Sequence, residues 1–394
     1  MDALTGPDRR PTADLDDDAL AAMFATPADV KCLDCAAHGP RLRSVHAAAL
    51  AAVDAGRMPW RAGNDAWLAS IERVRALAAD LFDGDPEGVA MLHSVGHAMS
   101  LAARNLPLER GESVLVLDAQ FPSNLLPWQH RCAQVGARVV RAVRRVGQDW
   151  TGAVLDALEA NPSVRIAALP HAHWHDGALL DMDAIAGRCR ARGIALVLDL
   201  SQSLGVLRVD IDRWQPQFVA SVGHKWLLGG YGLAWLWVAP HWRRHGEPLE
   251  QHWFARDHDA AMASPLQLPP FRDGARRFDA GAVAHGQLLA MAEAALGQLK
   301  AWGVDAVHQA LARRTGAFDA ALHAGGAGDW STPGHAPHVL GLRPPRDRLD
   351  AVAAALSQRG AVFTQRHGVL RIAPYLQVTV ADMHGLARAA ASAR

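Results

Sequence analysis

The sequence predicts an α/β protein built on a mostly parallel sheet of about seven strands, covered by helices on both faces. Two observations support this prediction. Short apolar runs bounded by turn residues alternate with amphipathic helix patterns, which is typical of parallel strands joined by crossover helices. Two later apolar runs are separated only by a short Gly-rich stretch, which leaves no room for a crossover helix. We therefore expect one antiparallel strand, contributed late in the sequence.

The predicted strands follow one another up to residue 239. Helix patterns lie between them, and Gly193 is placed to stop the helix that starts near residue 182. The last two strands should pair antiparallel. The seven runs are VAMLHS (89–94), SVLVLDA (113–119), ARVVRAV (137–143), IAALPHA (166–172), ALVLDLS (195–201), FVASVGH (218–224) and LAWLWVA (233–239).

The chain, at 394 residues, is long enough for a large domain and a smaller one. We predict that residues 61–265 form the large domain and that residues 266–394 form a connecting helix and a small α+β domain. Residues 1–60 are expected to pack with the small domain. The small-domain strands are expected near HVLGLRP, AVFTQR and VLRIAP, before a final helix from about Val380.

The charge balance excludes several kinds of partner. Lys plus Arg number 40 and Asp plus Glu number 40, so the formal net charge is zero and nothing favours nucleic acid or an anionic membrane. The acidic, polar N-terminus is unlike a signal peptide, and no apolar stretch approaches membrane-spanning length. Four cysteines are too few for a disulfide framework in this chain. We expect a soluble cytoplasmic protein.

Two residues suited to chemistry lie at the carboxyl ends of predicted strands, where ligands bind in such sheets. Asp199 ends one buried strand, and Lys225 follows the next. An aspartate beside a pyridine nitrogen keeps it protonated, and a nearby lysine can hold an aldehyde as an imine and move a proton. Each residue also has an ordinary alternative, because a strand-end Asp often caps a helix and such a Lys is often a solvated edge residue.

The segments around both residues, LVLDLSQSLG and VASVGHKWLLGGYGLAWLWV, resemble the cofactor-lysine region of the class V aminotransferase superfamily. This superfamily of fold-type I pyridoxal phosphate (PLP) enzymes includes kynureninases, cysteine desulfurases and lyases, and isopenicillin epimerase-like proteins. The resemblance implies a fold-type I PLP-dependent transferase fold with PLP as cofactor. It implies that Lys225 holds PLP as a Schiff base and that Asp199 binds its ring nitrogen. It also implies a homodimer with the active site at the interface.

Other segments resemble the same family and imply further cofactor contacts. Gln202 is placed to donate to the phenolic oxygen of the ring. Phe121, in DAQFPSNLLPWQH, is the candidate to stack on the ring, with ordinary core packing as the alternative. The strand-to-helix turn in LHSVGHAMSLAA implies phosphate contacts from Ser94, Val95 and Gly96.

The sequence departs from the family pattern at the phosphate end. Val222 replaces a serine that is common in cysteine desulfurases, and Ala282, in ARRFDAGA, replaces the threonine of the "RFE-x-GT" segment. In relatives that segment reaches the phosphate in the neighbouring subunit. Backbone amides, His224 or Ser221 are therefore the remaining candidates for anchoring the phosphate.

Three residues are candidates for binding the substrate. Arg371, in VLRIAPYLQVTVADM, matches the family arginine that clamps a substrate carboxylate, and a surface arginine in a small-domain strand is the alternative. His38 lies in KCLDCAAHGPRL, which resembles the family's opening "LD-x-A-x-x-GP" segment near the substrate. His173, in PHAHWHDG, could donate a hydrogen bond to the substrate or move a proton.

We predict no metal site. His171, His173 and His175 alternate as residues on one face of a strand would, which could suggest metal binding. The same segment resembles a family loop beside the cofactor, and that resemblance is the better explanation. Cys32 and Cys35 form a lone C-x-x-C without a second pair, so buried small residues are favoured over zinc or redox chemistry.

The reaction is predicted by resemblance and elimination. A cysteine desulfurase of the usual type needs a nucleophilic cysteine late in the chain, and no cysteine follows Cys189. Our first expectation is a lyase that cleaves at the β-carbon of a small α-amino acid, kynureninase-like or cysteine-lyase-like. An aminotransferase or an epimerase of the same fold is the alternative. A non-catalytic PLP-fold binding protein is a second alternative.

Overall fold

The computed structural model of the protein describes residues 16–393, apart from residues 62, 264, 265 and 284. The first fifteen residues of the predicted N-terminal segment therefore lie outside the described residues. The helices described are α1 Asp17–Ala22, α2 Arg43–Ala55, α3 Asn64–Ala79, α4 Val95–Asn105, α5 Leu126–Val135, α6 Trp150–Ala160, α7 Met182–Ala191, α8 Ile211–Trp214, α9 Pro240–His245, α10 His258–Ala263, α11 Gly286–Trp302, α12 Val304–Ala324, α13 Leu349–Ser357 and α14 Val380–Ser392. None of these helices combines the length and the apolarity needed to cross a membrane.

The described strands are β1 Lys31–Cys32, β2 Val89–Leu92, β3 Ser113–Leu117, β4 Arg138–Ala142, β5 Val164–Pro170, β6 Ala195–Asp199, β7 Phe218–Val222, β8 Ala234–Val238, β9 Leu340–Leu342, β10 Ala361–Val362, β11 Thr364–Arg366 and β12 Val369–Ile372. Seven of them form the main sheet, in the order β2-β8-β7-β6-β5-β3-β4. β8 is antiparallel to both β2 and β7, and the other pairs are parallel. The predicted fold class is confirmed, including the late antiparallel strand.

The crossover helices begin and end at residues that suit those positions. The Ser94 hydroxyl caps α4 by accepting a hydrogen bond from the His97 N–H at 3.1 Å. Asp181 caps α7 in the same way, through the Ala184 N–H at 3.0 Å. Gly193 follows the end of α7 with φ of +62°, a conformation that glycine adopts readily, so the predicted helix stop is confirmed.

A smaller α+β unit with its own core lies at the C-terminal end of the chain. Its antiparallel sheet has the order β11-β12-β9, and α12, α13 and α14 surround it. Thr379 and Asp382 form a reciprocal capping box that starts α14, the predicted final helix. Phe318, Leu340 and Leu370 are fully buried in this second core. The predicted small-domain strands are therefore present.

The segment before α3 contacts both parts of the protein. β1 pairs in parallel with β10, and Leu33 packs in the smaller core. Phe24 and Val45 pack instead in the core of the main sheet. The domain boundaries at residues 60 and 265 stay a prediction. Between Leu33 in the smaller core and Val45 in the main core, residues 34–39 pass over the carboxyl ends of the main strands. There the Gly39 N–H donates to the His224 carbonyl at 2.8 Å.

Candidate active site

A cavity of about 340 Å³ opens at the carboxyl ends of β5, β6 and β7 and at the start of α4. Its size is within the range of pockets that hold small ligands and cofactors. Three residues predicted for the site, Gly96, Ser221 and His173, do not line it. The other nine do: His38, Ser94, Val95, Phe121, Asp199, Gln202, His224, Lys225 and Arg371.

The loop after β7 carries Lys225 into this cavity. Its base is closed at Gly223, whose N–H donates to the Leu233 carbonyl and whose carbonyl accepts from the Gly229 N–H, each at 2.8 Å. A Cβ on Gly223 would lie 2.9 Å from the Leu233 carbonyl oxygen, so a larger residue would force the loop to shift. These contacts at Gly223 fix the position at which the loop leaves the sheet and therefore help to fix the position of Lys225.

The N-terminal segment packs on the same loop from the other side. A Cβ on Gly39 would lie 2.1 Å from the Lys225 carbonyl oxygen, so only glycine allows this approach. The Arg41 guanidinium donates to the carbonyls of Leu228 and Gly229 at 2.9 and 2.8 Å. The sequence analysis missed both supporting residues, and the only signal for them was the Gly-Pro of the opening segment.

Lys225 has the electrostatics of a reactive amine. Its pKa is lowered to about 8, mainly because the amine is buried and in part because of the Arg371 charge, and the charge of Asp199 partly opposes these effects. The chain has three lysines, all of them described. Lys31 is paired with an aspartate at 3.0 Å and Lys300 with another at 2.6 Å, and neither lines the cavity. Lys225 is therefore the candidate among them.

Asp199, at the end of β6, is a buried carboxyl group on the cavity wall. Burial raises its pKa, whereas hydrogen bonding by Ser201 and the positive charge of Lys225 favour the ionised form. The Ser201 N–H donates to Asp199 Oδ1 at 3.0 Å. A buried carboxylate of this kind is suited to pairing with a positively charged ligand group.

Phe121 forms a wall of the cavity rather than part of the core. Its side chain is 39% exposed, and its ring centre lies 5.4 Å from Lys225 Nζ. The ring contacts Trp174 edge-on, with 5.5 Å between the ring centres. Trp174 is held in turn by its indole N–H, which donates to the Ala119 carbonyl at 2.8 Å. This placement argues against ordinary core packing of Phe121.

Gln202 is held firmly at the cavity wall. Its amide N–H donates to the Ala36 carbonyl at 2.9 Å, and its amide oxygen accepts from the Trp226 indole N–H, also at 2.9 Å. An amide nitrogen has two hydrogens, so one donor remains for a ligand. The predicted hydrogen bond to a phenolic oxygen stays a prediction.

The start of α4 offers backbone donors. A helix leaves its first N–H groups without partners inside the helix, and such groups attract anions. Ser94 and Val95 line the cavity, and Gly96 lies just behind them, since a Cβ there would be 3.7 Å from Ser94 Oγ. The same Cβ would be 4.0 Å from Ser123 Oγ. Ser123 also lines the cavity and was missed by the sequence analysis.

The two side-chain candidates for the phosphate differ in their placement. Ser221 is buried, lies 3.4 Å from the Leu200 carbonyl oxygen, and does not line the cavity. Val222, which follows it on the opposite face of the strand, lines the cavity instead. The prediction that Ser221 binds the phosphate is therefore wrong. His224 lines the cavity, and burial together with the Lys225 charge lowers its pKa to about 4, so its ring is neutral near pH 7.

Arg371 lies on the cavity wall in β12 with its guanidinium already engaged. Nη2 donates to Asp34 Oδ1 at 2.7 Å and to Thr364 Oγ1 at 3.3 Å, and Nη1 donates to the Trp174 carbonyl at 2.9 Å. Nε is buried and has no partner among the described residues. The group is nearly buried rather than on the surface, and it retains N–H donors for a ligand carboxylate.

His173 is turned away from the cavity, which corrects its predicted contact with the substrate. Its Nδ1 lies 2.9 Å from Asp176 Oδ1, and its ring packs against Trp150. Arg144 and Arg343 also donate to Asp176, at 2.9 and 2.8 Å. Burial raises the pKa of this carboxyl group, but the hydrogen bond from His173 and the charge of Arg144 outweigh it, so the pKa is lowered. In the described part of the chain, no three His, Cys, Asp or Glu side chains are grouped to hold a metal ion.

Tyr231, which the sequence analysis missed, forms a cluster of three rings with the predicted residues His38 and His224. Tyr231 lines the cavity, and its ring centre lies 4.4 Å from that of His224 and 5.9 Å from that of His38. The centres of the two histidine rings are 5.3 Å apart. The only sequence signal for Tyr231 was its place six residues after the lysine. The cluster brings a hydroxyl group and two imidazole groups to the cavity that also holds Lys225.

The cavity fits PLP in three respects. It presents a buried amine whose pKa of about 8 leaves part of it neutral at physiological pH, as bonding to an aldehyde requires. It presents the buried Asp199 carboxyl group for a ring nitrogen. It also presents the N-terminus of α4 for a phosphate dianion. Lys225, Asp199, Ser94 and Val95 are therefore the residues that would hold the cofactor.

The sequence is similar to those of known proteins. A family model described as aminotransferase class-V matches residues 55–380. YcbU of Bacillus subtilis, an uncharacterized aminotransferase, is 28% identical over 336 residues, which cover 80% of this chain and 83% of that protein. The kynureninase of Deinococcus radiodurans is 31% identical over 218 residues, which cover 55% of this chain and 50% of that protein.

Solved structures show the likeness of fold over nearly the whole chain. A mutant of C-DES with glycine covalently linked to its PLP cofactor has a TM-score of 0.83 at 18% identity, and covers 95% of this chain and 99% of that chain. The cystine C-S lyase C-DES in complex with its product, cysteine persulfide, has a TM-score of 0.80 at 18% identity, covering 93% and 98%. The chain therefore belongs to the class V aminotransferase family and is a PLP-dependent enzyme with the fold-type I architecture.

Proposed function

We propose that the protein is a PLP-dependent lyase that cleaves a bond at the β-carbon of a small α-amino acid. The observation that carries this proposal is the position of Lys225, a buried amine that shares one cavity with Asp199 and Arg371. PLP, when bound, draws electrons from the α-carbon of an amino-acid substrate. Which bond then breaks depends on how the surrounding residues orient the substrate and move protons.

Each of these three residues has a distinct role in the proposed reaction. Lys225 Nζ would hold the cofactor aldehyde at rest and, once released, move a proton at the substrate α-carbon, because its pKa of about 8 makes it an effective base near neutral pH. Asp199 would keep a proton on the ring nitrogen. Arg371 would bind the substrate carboxylate, and its ion pair with Asp34 would fix the angle of the guanidinium.

The cluster of His38, His224 and Tyr231 favours a lyase over the other reactions of this fold. Departure of a group from the β-carbon is assisted by a proton donor, whereas amino-group transfer can proceed with the lysine alone. Tyr231 and His38 line the cavity and offer that proton. The names of the kynureninase relative and of the C-S lyase of similar fold support this choice. No cysteine follows Cys189, so the desulfurase route through a late cysteine nucleophile has no candidate residue.

An aminotransferase is the second candidate. The observation that favours it is the similarity to YcbU, an uncharacterized aminotransferase, over 80% of this chain. Tyr231→Phe separates the two reactions, because it removes the hydroxyl proton and leaves the lysine in place. We expect this variant to lose most β-cleavage and to keep slow amino-group transfer, as measured by keto-acid release. Loss of both activities in equal measure would argue against the hydroxyl as the proton donor.

The test of the proposed function begins with the visible absorbance of the purified enzyme, where a band of lysine-bound PLP is expected. Single amino acids are then added and the products assayed for β-cleavage, amino transfer or racemisation. Lys225→Ala should lose the band and all turnover. Lys300→Ala, with its exposed side chain, should keep both. A band without any turnover would favour a non-catalytic PLP-binding protein, and racemisation alone would favour an epimerase.

We further propose that the enzyme is a homodimer with its active site at the interface. Several large apolar side chains near the Pro-rich connection are exposed in the single chain, among them Met262 at 69%, Leu266 at 97% and Leu268 at 82%. Burial of such side chains against a second copy would be favourable. Sedimentation should give about twice the chain mass of 42.2 kDa. A species of single-chain mass at micromolar concentration would contradict the proposal.

A further inference from the structure

A second arginine from the small unit, Arg366, lines the cavity beside Arg371. It is exposed, and within the described part of the chain no hydrogen bond or ion pair engages its guanidinium. The guanidinium lies over the Trp174 ring, whose centre is 5.3 Å from Arg366 Cζ. Contacts of this kind hold a guanidinium in place and leave its N–H groups free. Arg366 is therefore a cation that the Trp174 ring holds in place and that pairs with no anion among the described residues.

The β11–β12 hairpin brings Arg366 and Arg371 to the same side. Arg371 is paired with Thr364, and Arg366 is paired with Val369. Because side chains opposite each other point to the same face and the period is two, both arginines share one face. They are diagonal neighbours, whose Cβ atoms in such a hairpin are about 7–8 Å apart or slightly less. The two guanidiniums are thus spaced to bind two anionic groups of one small molecule.

The charges around this wall leave a positive excess. Arg371 is neutralised in part by Asp34, and the nearby Asp176 is shared between two further arginines. His175 adds no charge, because burial and neighbouring cations lower its pKa to about 4. Arg144, Arg343 and Asp176 pack with His173 and do not line the cavity. Among the described residues, the guanidiniums of Arg366 and Arg371 on the cavity wall therefore have one carboxylate partner, Asp34, which pairs with Arg371.

We propose that the substrate is an α-amino acid with an acidic side chain, and that Arg366 selects it by pairing with the side-chain anion while Arg371 binds the α-carboxylate. The α-carboxylate would bind the free N–H groups of Arg371, which Asp34 already neutralises in part, and Arg366 would gain an anionic partner from the side chain of the substrate. The planar guanidinium is suited to a carboxylate because it can donate two parallel hydrogen bonds. This inference rests on the proposed function and narrows its substrate class.

The test uses unreactive ligands on the PLP-loaded enzyme, so that binding is measured apart from turnover. Isothermal titration calorimetry compares succinate with succinamate, which has the same length but an amide at one end. We expect succinate to bind at least about tenfold more tightly, because one charged hydrogen-bonding group is exchanged for a neutral one. Arg366→Gln should abolish this preference. Arg371→Gln should weaken both ligands, and Arg359→Gln, an exposed arginine that does not line the cavity, should change neither.

Turnover provides the second comparison. S-carboxymethylcysteine should exceed its amide, S-carbamoylmethylcysteine, by about tenfold or more in kcat/KM, because the two carry the same sulfur leaving group on the β-carbon and differ in the charge of the side chain. Arg366→Gln should erase that difference mainly through KM. Equal binding of the two succinate ligands, no binding of either, or a preference that survives in Arg366→Gln would overturn the inference. The absorbance band of the same samples reports separately on the proposed function, so a failure of one is distinguishable from a failure of the other.

Discussion

The lowered pKa of Lys225 makes a quantitative prediction about cofactor capture. Only the neutral amine attacks an aldehyde, so capture follows the neutral fraction. At pH 7 about one tenth of a lysine with a pKa of about 8 is neutral, compared with about one in 3,000 at the ordinary value of 10.5. Burial of Lys225 in the cavity is therefore expected to speed capture at neutral pH by about 300-fold.

The perturbation is pH, and the assay is stopped-flow absorbance after apoenzyme is mixed with PLP. The rate of lysine-bound band formation should rise about tenfold per pH unit below pH 7 and level off just above about pH 8. Asp199→Asn removes a negative charge that raises the pKa of Lys225, so its midpoint should move to lower pH. Asp350→Asn, at an exposed position on α13, should leave the midpoint unchanged.

A rate that climbs tenfold per pH unit through pH 10 without levelling off would contradict this prediction. Such a profile would mean that the lysine has an ordinary pKa and that burial does not act on it as argued. A midpoint that moves to higher pH in Asp199→Asn would contradict the assigned charge interaction between the two residues.

Two further predictions concern the support of the site. Asp279→Asn removes one of the two carboxylates that accept N–H groups of the fully buried Arg75 guanidinium, the one at 2.7 and 3.0 Å. Glu72 remains at 3.2 Å, so the free energy of unfolding in urea should fall by about 3 kcal/mol, the lower end of the range for a broken buried ion pair. A loss below about 1 kcal/mol would contradict this. Gly39→Ala would place a Cβ 2.1 Å from the Lys225 carbonyl oxygen and should reduce PLP occupancy at limiting cofactor, whereas Gly297→Ala, where a Cβ meets nothing within 4 Å, should load normally. Equal loading of both variants would mean that the lysine loop adapts.

The sheet could be predicted from the sequence because its strands are short, buried and punctuated by turn residues. The five residues of β8 are all buried, and the short Gly-rich stretch before it excludes a crossover helix. The same logic places Asp199 and Lys225 at carboxyl ends of neighbouring strands. Strand alternation could also have separated Ser221 from Val222, because successive residues point to opposite faces. The prediction of Ser221 as a phosphate ligand did not take this alternation into account.

Other parts of the site depend on contacts between distant residues, which local patterns do not report. Asp34 meets Arg371 across 337 positions, and Arg41 meets Leu228 across 187. The orientation of His173 toward Asp176 likewise depends on Arg144 and Arg343, which come from other parts of the chain. Tertiary packing decides these contacts.

The most direct test of the central claim is the identity of the lysine that carries PLP. Borohydride reduction of the holoenzyme converts the link between cofactor and lysine into a stable bond, and peptide mass spectrometry then locates it. Lys31 and Lys300 are the built-in controls, since the chain has only these two other lysines. We expect the added mass of the reduced cofactor on the Lys225 peptide alone. Mass on Lys31 or Lys300, or no attached cofactor at all, would contradict it.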